Sequence, residues 1–197
     1  VSDSGGRTKT HNDAKYVRMF WEVDFTSIGR DKKWITFEKG GQFRRWSGGV
    51  IYVVEWSLDS KQEYARHGGL SNRTFWNKEG VTWATLTSGS SSFRHKSAES
   101  EYASVSPTIF FPDELSLHRH LALLNSRSVE WLIKILNPTL ALNPGDVLRL
   151  PVPTITSYQT CIPERLVELA ALDWNAYEGA VGFQSLALLT DISSKDI

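Results

Sequence analysis

The chain of 197 residues is 41% hydrophobic and 22% charged, which is typical of one globular domain, and its formal net charge is zero. It contains no apolar run long enough to span a bilayer, so we expect no membrane partner. A single cysteine, Cys161, excludes an internal disulfide framework and predicts a cytoplasmic location. The polar start at Val1 has no initiator Met, so we expect a piece of a longer protein.

The zero net charge is an average over two different parts of the chain. Residues 30–96 carry 12 Lys and Arg against 6 Asp and Glu, whereas residues 97–197 carry 6 against 12. The basic part also holds five of the eight tryptophans. Clustered Lys and Arg attract polyanions, because binding releases counterions. The pattern therefore favours a phosphate-binding face supported by an acidic scaffold.

The first half of the chain predicts β-structure. Residues 1–15 are polar and are expected to form a flexible lead-in. Alternating β-forming residues predict strands over 16–25, 33–41 and 49–58, and the last two flank the loop EKGGQFRRWSGG. A polar stretch with one helical turn follows at 60–73. GVTWATLTSGSSSFRH then predicts a strand, a tip and a return strand, and VSPTIFFP predicts a short buried strand.

The second half predicts helices. Asp113 is a suitable N-cap for a helix over ELSLHRHLALL, and a second helix over SRSVEWLIKIL ends at Asn137-Pro138. PGDVLRLPVP predicts a short strand closed by prolines. A last helix begins near Pro163 and carries an apolar stripe that ends at Trp174. The fold class is therefore α+β, with a twisted, mostly antiparallel sheet followed by helices.

Several kinds of active site are excluded by the motifs. His118 and His120 are two residues apart on a predicted helix, so they point in different directions and cannot share a metal. The chain has no phosphate-cradling Gly loop that ends in Lys-Ser/Thr, and no Gly-x-Ser-x-Gly elbow. The NPTL segment at 137–140 lacks the aromatic residue that stacks on a flipped base. We predict no catalytic, cofactor-binding or metal-binding residues in this chain.

The loop EKGGQFRRWSGG is the first candidate binding site. Lys39, Arg44 and Arg45 can pair with phosphates, and an arginine can also bind guanine O6 and N7 in the major groove. Gln42 has the amide pair that adenine N6 and N7 require. Trp46 can wedge between bases, stack on one, or anchor the loop. The structural alternative is a solvated hairpin with Trp46 in a small core.

The second candidate is the hairpin NKEGVTWATLTSGSSSFRHK. Its cations are Lys78, Arg94 and Lys96, and its hydroxyl groups at Ser88 and Ser91 suit phosphate contacts. A polar surface hairpin is the equally open structural alternative.

Four long motifs occur in an order that resembles one family: WITFEKGGQFRRWSGGVIYVVEW, FWNKEGVTWATLTSGSSSFRH, LALLNSRSVEWLIKILNPTLALNPGDVLRLPVP and DWNAYEGAVGFQSLALL. The chain resembles the C-terminal target-recognition region of the large adenine-specific DNA methyltransferases of bacteriophage-exclusion (BREX) systems, the PglX type. Type IIG restriction–modification enzymes are close relatives of that family. The resemblance spans roughly residues 16–189. One departure is Thr10, which stands where the family often has Gly before Asn-Asp.

The resemblance implies a domain organisation and a set of partners. Residues 16–160 would form a target-recognition domain that grips duplex DNA, and residues 161–197 a connecting helix and tail. A methyltransferase domain outside this chain would bind S-adenosylmethionine and methylate adenine N6. The implied partners are double-stranded DNA, that catalytic domain and other phage-defence proteins.

Two other functions remain open at this stage. The acidic helical half could be a protein-interaction or oligomerisation module that uses the stripe from Leu166 to Trp174. A carbohydrate-binding β module would use surface tryptophans, and glycans would then quench their fluorescence. The single cysteine and the Leu-rich helices argue against the carbohydrate-binding module.

Overall fold

The computed structural model describes residues 7–86, 90–153 and 161–186, which form the α+β fold that the sequence predicts, with two sheets instead of one. The strands are β1 (Val17–Met19), β2 (Trp34–Glu38), β3 (Tyr52–Glu55), β4 (Gly80–Trp83), β5 (Phe93–Lys96), β6 (Ser100–Tyr102) and β7 (Thr108–Phe110). The helices are α1 (Asp13–Tyr16), α2 (Leu58–Arg66), α3 (Glu114–Leu124), α4 (Arg127–Leu136), α5 (Pro144–Leu148) and α6 (Cys161–Asn175). None of these helices is long and apolar enough to cross a membrane.

The first sheet has the strand order β1-β3-β2-β6, in which only the β2–β6 pair is parallel. Its register places Val54 on β3 between Val17 and Ile35. Helix α2 covers this sheet with Tyr64, whose hydroxyl donates to the carbonyl of Glu55 at 2.9 Å. A small apolar core therefore lies between the sheet and α2.

The second sheet, β5-β4-β7, is antiparallel and packs against helices α3 and α4. Trp83 on β4 is fully buried, and its Nε1 donates to the carbonyl of Leu142 at 2.9 Å. Leu121 of α3 and Ile133 of α4 complete the larger core. This sheet and its helices contain most of the buried aliphatic surface, which supplies the main hydrophobic stabilisation.

The predicted starts of α3 and α4 are confirmed by their caps. The Asp113 side chain accepts from the Ser116 N–H at 2.7 Å, and the Ser126 side chain accepts from the Val129 N–H at 3.3 Å. Each cap satisfies a backbone donor that has no partner inside its helix. Because this chemistry is local, the sequence indicates both helices correctly.

The strand predicted over PGDVLRLPVP is wrong, because its first half forms helix α5. Pro144 occupies the first turn, where its missing N–H costs nothing and its fixed φ suits a helix. The Asp146 carboxylate accepts from the Asn143 N–H at 3.1 Å and closes a capping box. These local signals favour a helix over the strand that hydropathy alone suggests.

Several other elements differ from the prediction. The described part of the lead-in is packed: Thr8 is buried, and its N–H donates to the carbonyl of Tyr102 at 3.0 Å. The first strand is only β1, because α1 occupies the preceding residues and a 3-10 turn follows. Helix α2 is longer than the single turn expected, and β6 was not predicted. Strand β6 pairs in parallel with a segment 64 residues earlier, which local patterns do not reveal.

Buried charged residues join the two sheets. Side chains alternate along β5, so Phe93 faces the larger core while Arg94 reaches toward the first sheet. The Arg94 Nη2 atom lies 3.4 Å from the Glu38 Oε2 atom on β2, and both side chains are at least 96% buried. Lys96, two residues further along β5, is buried as well, and so is Glu101 on β6.

The pKa values of these groups reflect their burial. Burial raises the pKa of Glu38 and of Glu101 above the usual range. The positive charges of Arg94 and Lys96 oppose that rise at Glu38, and the charge of Lys96 opposes it at Glu101. Burial lowers the pKa of Lys96, which the two glutamates oppose. The Lys96 Nζ donates to the carbonyls of Lys78 at 3.0 Å and Ser97 at 2.8 Å. Opposite charges and acceptors therefore offset part of the cost of burying these groups, although the Nε and Nη1 atoms of Arg94 have no hydrogen-bond partner among the described residues.

We expect Arg94→Met to lower the free energy of unfolding by about 3–5 kcal/mol, because the buried Glu38 would lose its nearest cation and would have to keep an uncompensated charge or bind a proton. Urea denaturation at neutral pH measures the loss. The double variant Arg94→Met/Glu38→Gln removes the uncompensated charge and should recover most of the stability. Equal stability of the single and double variants would contradict the coupling.

Candidate nucleic-acid interface

The loop between β2 and β3, residues 39–51 and here called the basic loop, crosses from the first sheet to the second. The Trp46 N–H donates to the Phe93 carbonyl at 3.0 Å, and the His95 N–H donates to the Trp46 carbonyl at 2.8 Å. Trp46 has a φ of 72°, a left-handed conformation that is costly for this residue type. The two backbone bonds to β5 hold Trp46 there, and its ring packs against the larger core. Trp46 thus anchors the loop.

The buried Arg94 supports the basic loop from below. Its Nη2 atom donates to the carbonyl of Gly40 at 3.3 Å, and Gly49 passes close to the same guanidinium. A Cβ atom at Gly49 would lie 3.0 Å from the Arg94 Nη1 atom, so glycine permits this close approach. The Gly40 N–H also donates to the Ser106 hydroxyl at 2.6 Å. Both ends of the basic loop are therefore tied to the second sheet and its neighbours.

Lys39 pairs with a carboxylate from the N-terminal segment. Its Nζ atom forms an ion pair with Asp13 on α1 and lies 5.9 Å from the centre of the Tyr52 ring. Partial burial raises the pKa of Asp13, but hydrogen bonds from Lys39 and Thr10 outweigh it and leave the pKa below its usual value. The Lys39 side chain remains 25% exposed at the rim of the loop.

Arg44 lies across the end of helix α6. Its Nη2 atom pairs with the carboxylate of Asp173, and its guanidinium carbon lies 4.8 Å from the centre of the Trp174 ring. Tyr177, just beyond the helix, lies 6.0 Å from the same carbon. Such stacking on aromatic faces is typical of arginine, whose planar guanidinium is weakly hydrated.

Arg45 pairs with helix α4. Its Nη2 atom donates to the Glu130 Oε2 atom at 2.9 Å, and Glu130 also accepts from the hydroxyl of Ser90 at 2.5 Å and from Lys134 at 3.2 Å. These hydrogen bonds, led by that from Ser90, lower the pKa of Glu130 to about 2. The carboxylate is therefore ionised under all ordinary conditions and keeps Arg45 in place.

The tip of the basic loop is exposed. Gln42 is exposed, as expected for a residue that contacts a base. Phe43 beside it is 57% exposed, and the guanidinium of Arg45 lies 5.5 Å from its ring centre. Sequence reasoning omitted Phe43, although an aromatic residue in a basic glycine-rich loop is a signal for base stacking. The tip thus combines an amide, an apolar ring and two nearby cations.

The second predicted group does not form a surface with the first. Lys78 is exposed, and Ser88 lies outside the described residues. Ser91 is buried, and so are the charged groups of Arg94 and Lys96. DNA contacts by Arg94 and Lys96 stay predictions. In this conformation both cations are enclosed between the sheets and are not accessible to DNA. Both instead contribute to the contact between the two sheets.

A cleft of about 450 Å³ lies behind the basic loop, lined in part by Glu38, Gly48, His95, Glu99 and Trp174. Burial lowers the pKa of His95, while Glu79 opposes that shift. The carboxylates in this lining do not suit a phosphate. Within residues 7–86, 90–153 and 161–186, no three His, Cys, Asp or Glu side chains are grouped so that they could hold a metal ion.

The low pKa of Glu130 predicts a pH-dependent contribution to stability. The folded pKa of about 2 lies below the ordinary value of 4.5, so the contribution is fully present above pH 4.5 and is lost as the pH falls toward 2. We expect Glu130→Gln to be less stable than the wild type at neutral pH, with a difference that shrinks in acid. Urea denaturation from neutral pH to pH 2 measures both proteins. A difference that stays constant with pH would contradict this role.

No family model matches the chain. The chain is similar to the adenine-specific methyltransferase PglX of Lacticaseibacillus casei (strain Zhang), with 32% identity over 203 aligned residues that cover 93% of the chain and 17% of the relative. It is also similar to the adenine-specific methyltransferase BrxX of Escherichia coli O9:H4 (strain HS), with 26% identity over 180 residues, 88% of the chain and 15% of that relative. The chain is therefore homologous, over most of its length, to a short segment of the adenine-specific methyltransferases PglX and BrxX.

Proposed function

We propose that this chain is the DNA target-recognition segment of an adenine-specific DNA methyltransferase and that the basic loop binds duplex DNA. The observation that carries the proposal is the presentation of Arg44 and Arg45 beside an exposed tip, on a loop fixed at both ends. Sites held on supported elements select their ligands better than sites on free loops. The homology to two adenine-specific methyltransferases supports DNA as the ligand.

The residues of the loop divide into two kinds of contact. Lys39 and Arg45 lie at positions where they can neutralise phosphates, which supply affinity without sequence information. Gln42 and Arg44 have the donors and acceptors that distinguish adenine and guanine in the major groove. Phe43 can contact a thymine methyl group or stack on an unpaired base. The loop thus contains residues for phosphate binding and residues for base recognition.

Each cation of the loop is already paired with a carboxylate, so binding requires exchange of partners. The Lys39, Arg44 and Arg45 side chains are 22–29% exposed, so each ion pair is partly open to solvent. A phosphate that replaces the carboxylate would supply a charge-assisted hydrogen bond to the same cation. In the absence of DNA, the ion pairs hold the cationic side chains of the loop in place.

We assign the methyl transfer to other parts of a longer protein. The chain aligns with 17% and 15% of the two relatives, so most of each relative lies outside the alignment. Methyltransferases use S-adenosylmethionine, and that cofactor would bind in the catalytic part. The present segment would bring DNA to that part and determine which adenine is presented.

We expect the 197-residue chain to bind duplex DNA with an affinity that falls steeply between about 50 and 200 mM salt. Arg44→Ala/Arg45→Ala should weaken binding and reduce the magnitude of the slope of log K against log salt by about 1, since Arg45 contributes one phosphate contact and Arg44 contacts a base. Fluorescence anisotropy with a labelled duplex measures both quantities.

The matched control is Arg149→Ala/Arg165→Ala, which removes two exposed arginines from the acidic part and changes the net charge equally. The control should bind like the wild type. Absence of binding at low salt would refute DNA binding by this chain. Equal loss in the two double variants would show that the basic loop is not the contact surface.

A protein-interaction role is the second candidate, and exposed leucines on α6 favour it. Leu169 is 46% and Leu172 63% exposed, one turn apart on that helix. We expect such a surface to dock another part of the longer protein or a second copy. Light scattering of the wild type and of Leu169→Ser/Leu172→Ser tests self-association, and an identical monomeric mass for both would exclude the second copy.

A further inference from the structure

The C-terminal end of helix α6 packs against the basic loop. Gly48 of the loop packs on Trp174 so closely that a Cβ atom at Gly48 would lie 2.8 Å from the Cβ and Cγ atoms of Trp174. The same hypothetical atom would lie 3.2 Å from the Arg44 Nε atom. Gly48, Arg44 and Trp174 therefore pack together in one contact. Glycine permits this contact because it has no side chain and adopts a φ of 93° without strain.

This contact restrains Arg44 in two directions. Asp173 pairs with the Nη2 atom, and the ring of Trp174 lies against the guanidinium, with 4.8 Å between ring centre and guanidinium carbon. Apart from that bond, the Arg44 guanidinium makes no hydrogen bond to any part of the chain that the structure describes. Nη2 carries two N–H groups, so its second N–H and the N–H parallel to it, on Nε or Nη1, remain available for a paired contact.

A restrained arginine is suited to base recognition. A guanine offers O6 and N7 as paired acceptors, and bidentate contact requires the guanidinium plane to be aligned with the base. An arginine that is already ordered loses less conformational entropy on binding. A phosphate can also accept from such a fork but carries no sequence information, so orientation of Arg44 affects discrimination between sequences only through a base contact.

We propose that Asp173 and Trp174 are positioning residues that orient Arg44 for contact with one guanine of the target sequence. The proposal rests on the proposed DNA binding by the basic loop. Asp173 is 62% exposed and contributes little to the core. The structural contact that distinguishes it is its ion pair with Arg44. Helix α6 is then more than a connection, because its last turn determines sequence preference.

The competing role for Asp173 is that of a phosphate mimic, which would only weaken DNA binding. The two roles predict different outcomes for Asp173→Asn. A mimic that is removed would tighten binding to every duplex without changing the ratio between sequences. A positioning residue that is removed would reduce that ratio, because Arg44 would no longer be aligned with its base.

The experiment begins with selection of preferred duplexes from a random-sequence library by the 197-residue wild-type chain. Binding to the preferred duplex and to single-base variants of it is then measured for the wild type, Asp173→Asn and Glu168→Gln. Glu168 is the matched control, since it is an exposed carboxylate on the same helix that pairs with Arg165 instead of with the loop. Unchanged denaturation midpoints would show that the variants are folded.

We expect Asp173→Asn to lose about tenfold in discrimination at one G·C base pair, within the range that a bidentate contact provides. Glu168→Gln should keep the wild-type ratio. Arg44→Lys, which keeps the charge but not the planar fork, should lose discrimination at the same base pair. Combining it with Asp173→Asn should cause no further loss there. Trp174→Phe, which keeps an aromatic face, should retain more discrimination than Trp174→Leu.

An unchanged ratio in Asp173→Asn would overturn the positioning role while leaving DNA binding by the loop intact. Tighter binding of Asp173→Asn to all duplexes, beyond that of Glu168→Gln, would establish the phosphate-mimic role instead. A wild type that binds DNA without any sequence preference would also overturn the inference. A wild type that binds no DNA would refute the proposed function, and the inference with it.

Discussion

The arrangement of this protein depends on the burial of two cations of β5 between its sheets. Arg94 and Lys96 project toward the first sheet, where Glu38 and Glu101 meet them, and all four side chains are almost completely buried. Isolated charges in such a place would be very costly, and the observed packing of the two sheets offsets that cost because it brings opposite charges together. The charges thus favour this packing, while the apolar cores supply most of the stabilisation.

The position of the basic loop depends on these buried charges between the two sheets. Arg94, held by Glu38, donates to the Gly40 carbonyl, and Trp46 joins the loop to the backbone of the same strand. Helices α6 and α4 then provide Asp173 and Glu130 for the two arginines. The basic loop therefore contacts the side chains between the two sheets as well as helices α4 and α6. These contacts explain how a long glycine-rich connection can have a definite conformation.

The contrast between a basic and an acidic part of the sequence acquires a structural meaning. Carboxylates of the acidic part pair with cations of the basic part, namely Asp173 with Arg44 and Glu130 with Arg45, and the charge of Glu101 favours the charged form of Lys96 without a direct ion pair. The acidic part is thus an internal counter-charge for the basic part. Its carboxylates hold the two arginines of the basic loop in place.

Elements whose causes are local can be read from the amino-acid sequence. Asp113 and Ser126 begin their helices by capping backbone N–H groups, and hydrophobic alternation marks β2 and β3 on either side of the basic loop. It also singled out the loop and its cations, since residue types and glycine pairs are visible in one dimension. Tertiary structure alone decided which cations are accessible: Arg44 keeps a partly open guanidinium, whereas Arg94 is enclosed. Nor could local patterns reveal the roles of Asp173 and Trp174, because they lie about 130 residues from their partner and a contact over that separation exists only once both sheets and α6 have packed.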